Sequence, residues 1–459
     1  MSSIYTFELP TTGSLSFADH FSNGSNVYTT QIANATQARA NLHGDKDYLR
    51  LVKTLEEYLP QLYSIIACSA SGDLIQTQEP IFSWRTTLSA HLFNNSPRLS
   101  LPTLPAELVF TLLTYGFALS NLARLNVAAL GTYERERGIS DVERRAKDEK
   151  LGFAVTLLCR ASGLFEHIST TVLSAAEQTS SWQNGRSRPP EMTKEVASAL
   201  SKLASASAQS LAIRKLMTKS SYDSTISPGP PLPSSHPSPA LLAKLHLEAS
   251  ALCVSAESLL RIPASRKHDM EVTEPLLLYA RDSAALHGAL ARKWLGADAG
   301  ARDATGMAVG FLGLAKRELD VLLKDSGTRL GGGGGGKEEV RDWRRERRER
   351  ITIEAEDAGQ FLRYYSRMND TLSFQPVPSQ AELQTAVPAG RLAVAAKAFS
   401  PPTPAFGPGS VEYIREHVDS LDLLDEEPSS SLLLSLSGGQ RGTTSREDKP
   451  CYAGAGSYF

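Results

Sequence analysis

The sequence predicts an all-α protein. Glu107–Gly131 is apolar on nearly every face, as a helix buried between other helices is. Ser140-Asp141-Val142-Glu143 opens a second helix with the capping-box pattern that satisfies otherwise unpaired amide N–H groups. In that helix Leu151, Ala154, Val155, Leu158, Ser162 and Phe165 recur at spacings of three and four, a stripe that must lie on a neighbouring helix. Further stretches with the same period follow, whereas segments that read as strands are short. The expected architecture is a right-handed, solenoid-like array, without the fixed-period repeat of tetratricopeptide proteins.

In chain order, Ile4–Leu9 alternates and is β-rich until Pro10 and Gly13 break it, which predicts one short N-terminal strand. Phe17–Arg39 is Ser/Asn/Thr-rich and gives a weak signal. Tyr48–Ala67 is helical by spacing, with Pro60 bending or dividing it. Ile81-Phe82-Ser83-Trp84-Arg85 starts or precedes another helix, and Pro97, Pro102 and Pro105 punctuate the approach to the central pair. After the pair, Thr193–Met217, Ala240–Ile262, Glu274–Leu295 and Thr305–Leu323 read as helices. Ser221–Pro239 holds six prolines and six serines and is expected as an exposed, mobile loop. A second mobile joint, 325–337, contains the glycine run Gly331–Gly336. Lys337–Met368 mixes charge signs in its first half, as a solvent-exposed helix does. One helical domain over 1–402 results, followed by a largely disordered tail, 403–459. Within that tail Val411, Ile414, Val418, Leu421 and Leu424 recur at helical spacing among seven acidic residues. A short amphipathic helix that folds on a partner, or back onto the domain, fits this pattern.

Composition excludes several functions. A net charge of −2 gives no electrostatic reason to expect nucleic acid or an acidic membrane as the main partner. Cys68, Cys159, Cys253 and Cys451 lie far apart and read as reduced thiols of a cytosolic protein. The N-terminus lacks the basic and apolar regions of a secretory signal, and the strongest apolar run, Leu108–Leu119, is shorter than the ~20 residues of a membrane span. Gly331–Gly336 with Lys337 imitates a phosphate loop, but Glu338 stands where magnesium needs Ser or Thr, and no strand precedes it. Arg344–Arg350 interleaves arginine with Glu346 and Glu349 and reads as a solvated helix face. His167 has no paired ligand, so no metal site is expected. No cofactor motif or nucleophile elbow is present, and the chain is expected not to be an enzyme. Pro230-Pro231-Leu232-Pro233 could be read by a proline-recognising module, but a plain loop accounts for it.

Several stretches resemble the Bro-one domain of ESCRT-associated proteins such as Alix, and within that family its fungal pH-response regulators. Glu107–Ala123 resembles the family helix E-x-A-x-V-L-F-N-I-A-A-L-Y-S-Q-L-A, and Phe82-Ser83-Trp84 its upstream F-x-W. Ala161–Ile168 resembles A-x-G-x-F-x-x-I, and Asn369-Asp370 with Val377-Pro378 resembles the closing N-D-x-I-Y…V-P segment. Tyr133–Ser140, the LCRASG of 158–163 and the final YAGAGSYF resemble the pH-response branch. The resemblance implies a boomerang-shaped helical domain with a tetratricopeptide-like core and small N-terminal strands. It also implies a non-catalytic adaptor that binds the C-terminal helix of the major ESCRT-III filament subunit. That adaptor would act in alkaline-pH signalling that ends in proteolytic activation of a zinc-finger transcription factor by a separate calpain-like protease. Peripheral membrane association would come through partners only, from the cytoplasm to plasma-membrane or endosomal ESCRT sites. A general Alix-like endosomal-sorting adaptor is the alternative.

Partner contacts carry over at four positions. Ala240–Leu245 matches the family's A-I-I-A-K-L, which assigns Leu241 and Leu245 to the partner helix. Leu211 falls near a family Phe on the preceding helix, although Ser210-Leu211-Ala212 is smaller here, and Ile168 closes A-x-G-x-F-x-x-I. By period alone Leu241 and Leu245 lie within the same arc as the core stripe of their helix. Only the resemblance places them on a partner. The long coiled arm of Alix has no counterpart in this sequence, so roles resting on it are not carried over.

Overall fold

The computed structural model describes residues 4–24, 27–42, 47–90, 98–178, 188–225, 229–263, 270–331 and 338–415. Met1–Tyr413 forms one compact unit and Ile414–Phe459 a second. The glycine run 332–336 and the tail pattern beyond Ile414 and Arg415 lie outside the described residues.

Helices dominate. In order they are α1 (Thr29–Ala40), α2 (Tyr48–Ser71), α3 (Leu104–Ala128), α4 (Asp141–His167), the short α5 (Leu173–Glu177), α6 (Lys194–Ser224), α7 (Pro239–Arg261), α8 (Glu274–Ala301), α9 (Thr305–Gly331), α10 (Glu338–Met368) and α11 (Gln380–Thr385). Each long helix packs on the one before it: α1 on α2, α2 on α3, α3 on α4, α4 on α6, and so on to α9 and α10. The array is therefore sequential, as expected from helices that follow one another through short connections. Among the described residues four strands form two antiparallel pairs. β1 (Phe21–Ser22) pairs with β2 (Ile75–Gln76), and β3 (Phe82–Arg85) with β4 (Arg98–Leu101).

The central pair lies where the sequence puts it. Ser140 caps α4 through the Glu143 amide, and the whole stripe from Leu151 to Phe165 is buried. By length and composition Leu104–Arg135 and Asp141–Glu177 could cross a membrane, but most of each window is buried inside the fold, which makes them core helices.

Three expectations need correction, and a fourth loses one of its two alternatives. Ile4–Leu9 is extended but joins no sheet, because the Asn121 amide of α3 takes both backbone groups of Phe7: Phe7 N–H donates to Asn121 Oδ1 (2.9 Å), and Asn121 Nδ2 donates to Phe7 O (2.7 Å). A side chain thus replaces a strand partner. Ile81–Arg85 does not lead into a helix. Phe82 and Trp84 alternate inward on β3, a period of two that five residues cannot display reliably. Pro60 does not divide α2, which runs through it. The Pro60 carbonyl instead accepts from Ser64 Oγ and from Ala405 N–H. Finally, α6 continues to Ser224, so the start of the expected proline-serine loop is helical.

Buried carboxylates join the elements. Glu107, fully buried at the start of α3, accepts from Arg39 Nε of α1 (2.8 Å), Tyr58 OH of α2 (3.0 Å) and Trp84 Nε1 of β3 (2.6 Å). Glu191 accepts from the Thr87 and Leu88 amides, both at 2.7 Å, and so ties the chain after β3 to the start of α6. Burial pushes the Glu191 carboxyl above its ordinary range, and those amide donors act against the shift.

Candidate functional site

The end of the array built from α6, α7, α8, α9 and α10 has its own apolar cluster, with Ile213, Leu242, Leu245, Trp294, Leu312 and Phe361 inside. The cluster is not closed on all sides. Leu216 and Met217 of α6, Leu232 of the following loop and Leu241 of α7 pack against it while staying partly exposed. Lys219 of α6 and Lys244 of α7 stand exposed on the same helices, whereas Lys215 reaches over Gly152 of α4. The physical result is a half-open apolar strip with a basic margin, which is suited to the apolar face of a helix whose flank is acidic.

The chain after α11 forms a strap over the same helices. Arg391 N–H donates to Lys244 O of α7, and Gln209 of α6 bridges the Ala393 amide and the Val394 carbonyl, each at 2.6 Å. Further on, Lys397 N–H donates to Cys159 O of α4, and the Phe399 ring lies 5.1 Å from His167. Phe406 then enters the core beside α2, its N–H donating to Ser64 Oγ.

Among the four residues assigned to a partner helix, only Leu241 reaches the surface. Ile168 and Leu211 are 0% exposed and Leu245 is 2% exposed. In this conformation they are core residues, as the period of α7 allows for Leu245, because the inward arc of a helix is filled by its neighbours. Leu211 and Leu245 nevertheless sit on the two helices that border the strip. Ile168 sits apart, at the point where α4 widens into a π-helical turn, Ile168–Val172.

A polar cluster lies between α7, α8 and α10, and nothing in the sequence pattern announces it. His246 Nδ1 and His287 Nδ1 are 2.9 Å apart in the interior, so one donates and the other accepts, and burial holds both below the ordinary imidazole range, which leaves the rings neutral at pH 7. Lys293, also buried, donates to Glu354 (2.7 Å) and lies over the Trp294 ring. Burial alone would lower the Lys293 ammonium, but Glu354 and Asp357 raise it above its ordinary value. The basic run on α10 divides accordingly. Arg345 and Arg348 face solvent, as expected of the whole run, but Arg347 is buried against Asp282 (2.8 Å), and Arg350, one turn on, is partly buried. An i, i+3 step places both on the face that α8 covers.

The histidine pair gives a pH prediction. Burial first, and then Arg350 and Lys293, push His246 down to about 3; burial, His246 and Arg350 hold His287 well below its ordinary value. At these two histidines the unfolded chain therefore binds more protons than the fold once the pH drops below about 6.5, and their contribution to stability falls on acidification, that of His246 until about pH 3. At pH 5, His246 alone contributes a loss of about 2 kcal/mol relative to pH 7. In urea unfolding at the two pH values, His246→Gln should shrink the acid loss by about that amount. An undiminished loss would mean that the pair is not the acid-sensitive element.

Chemistry at the thiols is not favoured. Cys68, Cys159 and Cys253 are free and buried, and burial raises all three, Cys68 to about 11 and Cys253 to about 12, which leaves them as protonated thiols at neutral pH. Among the described residues no group of three His, Cys, Asp or Glu side chains could hold a metal ion.

Comparison with known proteins places this architecture. The model of the BRO1-like domain matches residues 16–409. The chain is 34% identical, over a 510-residue alignment covering 99% of each protein, to the pH-response regulator protein palC of Cryptococcus neoformans var. neoformans serotype D (strain B-3501A). It is 24% identical to palC of Yarrowia lipolytica (strain CLIB 122 / E 150), with both chains covered completely. Among solved structures it resembles the ALIX BRO1 CHMP4C complex, with a TM-score of 0.60 at 17% identity, covering 88% of this chain and 98% of the other. It also resembles the Bro1 domain whose structure describes a basis for endosomal targeting, with a TM-score of 0.58 at 15% identity, covering 92% and 97%. At these identities the structural likeness speaks for the fold.

Proposed function

We propose, because this chain belongs to the BRO1-like domain family, that it is a non-catalytic adaptor of ambient alkaline-pH signalling that binds the C-terminal helix of the major ESCRT-III filament subunit. The half-open strip around Leu241 carries the reading. A visiting helix would lay apolar side chains along Leu216, Met217, Leu232 and Leu241, and its acidic flank would meet Lys219 and Lys244. Leu211 and Leu245 support the strip from beneath. The adaptor works in the cytoplasm and reaches plasma-membrane or endosomal ESCRT sites through its partners. There it helps to assemble the complex in which a separate calpain-like protease activates a zinc-finger transcription factor.

A pull-down with the filament subunit's C-terminal peptide tests this. Leu241→Asp should weaken binding at least tenfold, about 1.4 kcal/mol or more, while the helical circular-dichroism signal is kept. Leu245→Asp should instead unfold the surrounding helices, since it buries a charge. Normal binding by Leu241→Asp would place the partner elsewhere. A deletion that disturbs cargo degradation and leaves alkaline growth intact would favour general endosomal sorting.

A further inference from the structure

A cavity of about 20 Å³ opens between α6, α7, α8 and α10, room for one or two waters. Its polar lining combines two arginines with hydroxyls that can donate or accept, and no carboxylate is among the lining residues. Ser210 of α6, Ser283 of α8 and Arg350 of α10 all face it, and none of their side chains makes a hydrogen bond to another described residue. Arg347 lines it too and is held by Asp282 at 2.8 Å. The carboxylate whose charge acts on Arg350, Glu354, is bonded to Lys293 at 2.7 Å. A guanidinium partly withdrawn from water and without a bonded counter-charge is costly, and it is relieved by an anion that accepts several hydrogen bonds at once. The other titratable groups lining it add no charge: His287 is held neutral by its surroundings, and burial raises the Tyr279 hydroxyl and the Cys253 thiol, so both stay protonated at neutral pH.

From this arrangement we infer that the cavity is a binding site for a phosphate group, held by Arg350 and Arg347 with the hydroxyls of Ser210 and Ser283. The Arg350 guanidinium and two hydroxyls, backed by the positive charge of Arg347, offer more donors than the two oxygens of a carboxylate can use, and they match the three or four oxygens of a phosphate. The leading oxygens enter a space fit for one or two waters, so any carrier of the group stays at the mouth. The ligand is therefore free phosphate or a small phosphate monoester rather than a nucleotide enclosed by the protein.

Isothermal titration of the full chain with inorganic phosphate, at fixed ionic strength, tests the site. Saturable binding is expected, weakened at least tenfold in Arg350→Met and unchanged in Arg348→Met, whose side chain is exposed on the same helix. Should Arg350→Met fail to fold, the double variant Ser210→Ala/Ser283→Ala decides the question, with binding expected to fall several-fold while the arginines remain. A parallel titration with glycerol phosphate separates the two sources: binding tighter than that of the free ion points to an ester, and weaker binding to the ion itself. Absence of saturable phosphate binding, or equal affinity in the wild type and in the arginine or serine variants, overturns the assignment.

Discussion

Glu107→Ala should destabilise the protein by about 3–5 kcal/mol, because it leaves a buried guanidinium without its counter-charge. Arg39 is 2% exposed, and its other donors go to Gly13 O and Thr12 Oγ1, so no water waits to replace the carboxylate. Burial by itself would lower the Arg39 guanidinium; Glu107 more than offsets this and raises it. Tyr58 is pushed well above its ordinary value, by burial first and then by the same carboxylate. Three elements thus converge on one side chain of a fourth, and its loss also strands the Tyr58 hydroxyl and the Trp84 indole N–H. Urea unfolding measures the cost. Removing both charges, as Arg39→Met/Glu107→Leu, should recover a large part of it, since an absent pair leaves nothing unpaired. A Glu107→Ala protein within 1 kcal/mol of wild type would mean that the cluster is not closed to water as described.

Glu107 also shows how far the sequence could be read. As the first letter of a family helix it was visible by resemblance, and α3 was visible by its apolar composition. Its partners were not, because Arg39, Tyr58 and Trp84 lie 68, 49 and 23 residues away in sequence, and no local period links them. The order of the helices could be read because period 3.6 repeats over many turns. Strands of two to four residues could not, since so few residues do not separate one period from another. The same holds for the histidine pair, whose members are 41 residues apart and meet only because α7 and α8 run together. At the strip, resemblance picked out positions on α6 and α7, and burial divides them: Leu241 lies partly exposed, while Leu211 and Leu245 lie inside. Position on a helix can be read from a period; which part of the apolar arc is left uncovered depends on the neighbours.

Gly163 illustrates the converse, a motif residue whose reason is visible only in three dimensions. Adding a methyl group there would set its carbon 1.8 Å from Lys397 O and 2.6 Å from Lys397 C, where the strap crosses α4. Both atoms are backbone, so no side chain can swing away, and the strap must lift. At the same crossing Lys397 N–H donates to Cys159 O, four residues before the glycine, so the contact that needs Gly163 is adjacent to the bond it permits. Gly163→Ala should therefore cost about 3 kcal/mol, the upper part of the range for overpacking. It should also quicken trypsin cleavage at Arg391 and Lys397, whose exposed side chains flank the lifted segment. Gly313→Ala provides the opposite sign. It sits inside α9 with nothing within 4 Å of the new carbon, so the alanine should stabilise by about 0.5–1 kcal/mol through helix propensity alone. If Gly163→Ala keeps the wild-type midpoint in urea and the wild-type lifetime in trypsin, the strap is not anchored on α4. The Gln209 and Lys244 contacts beside the candidate strip would then have to hold it unaided.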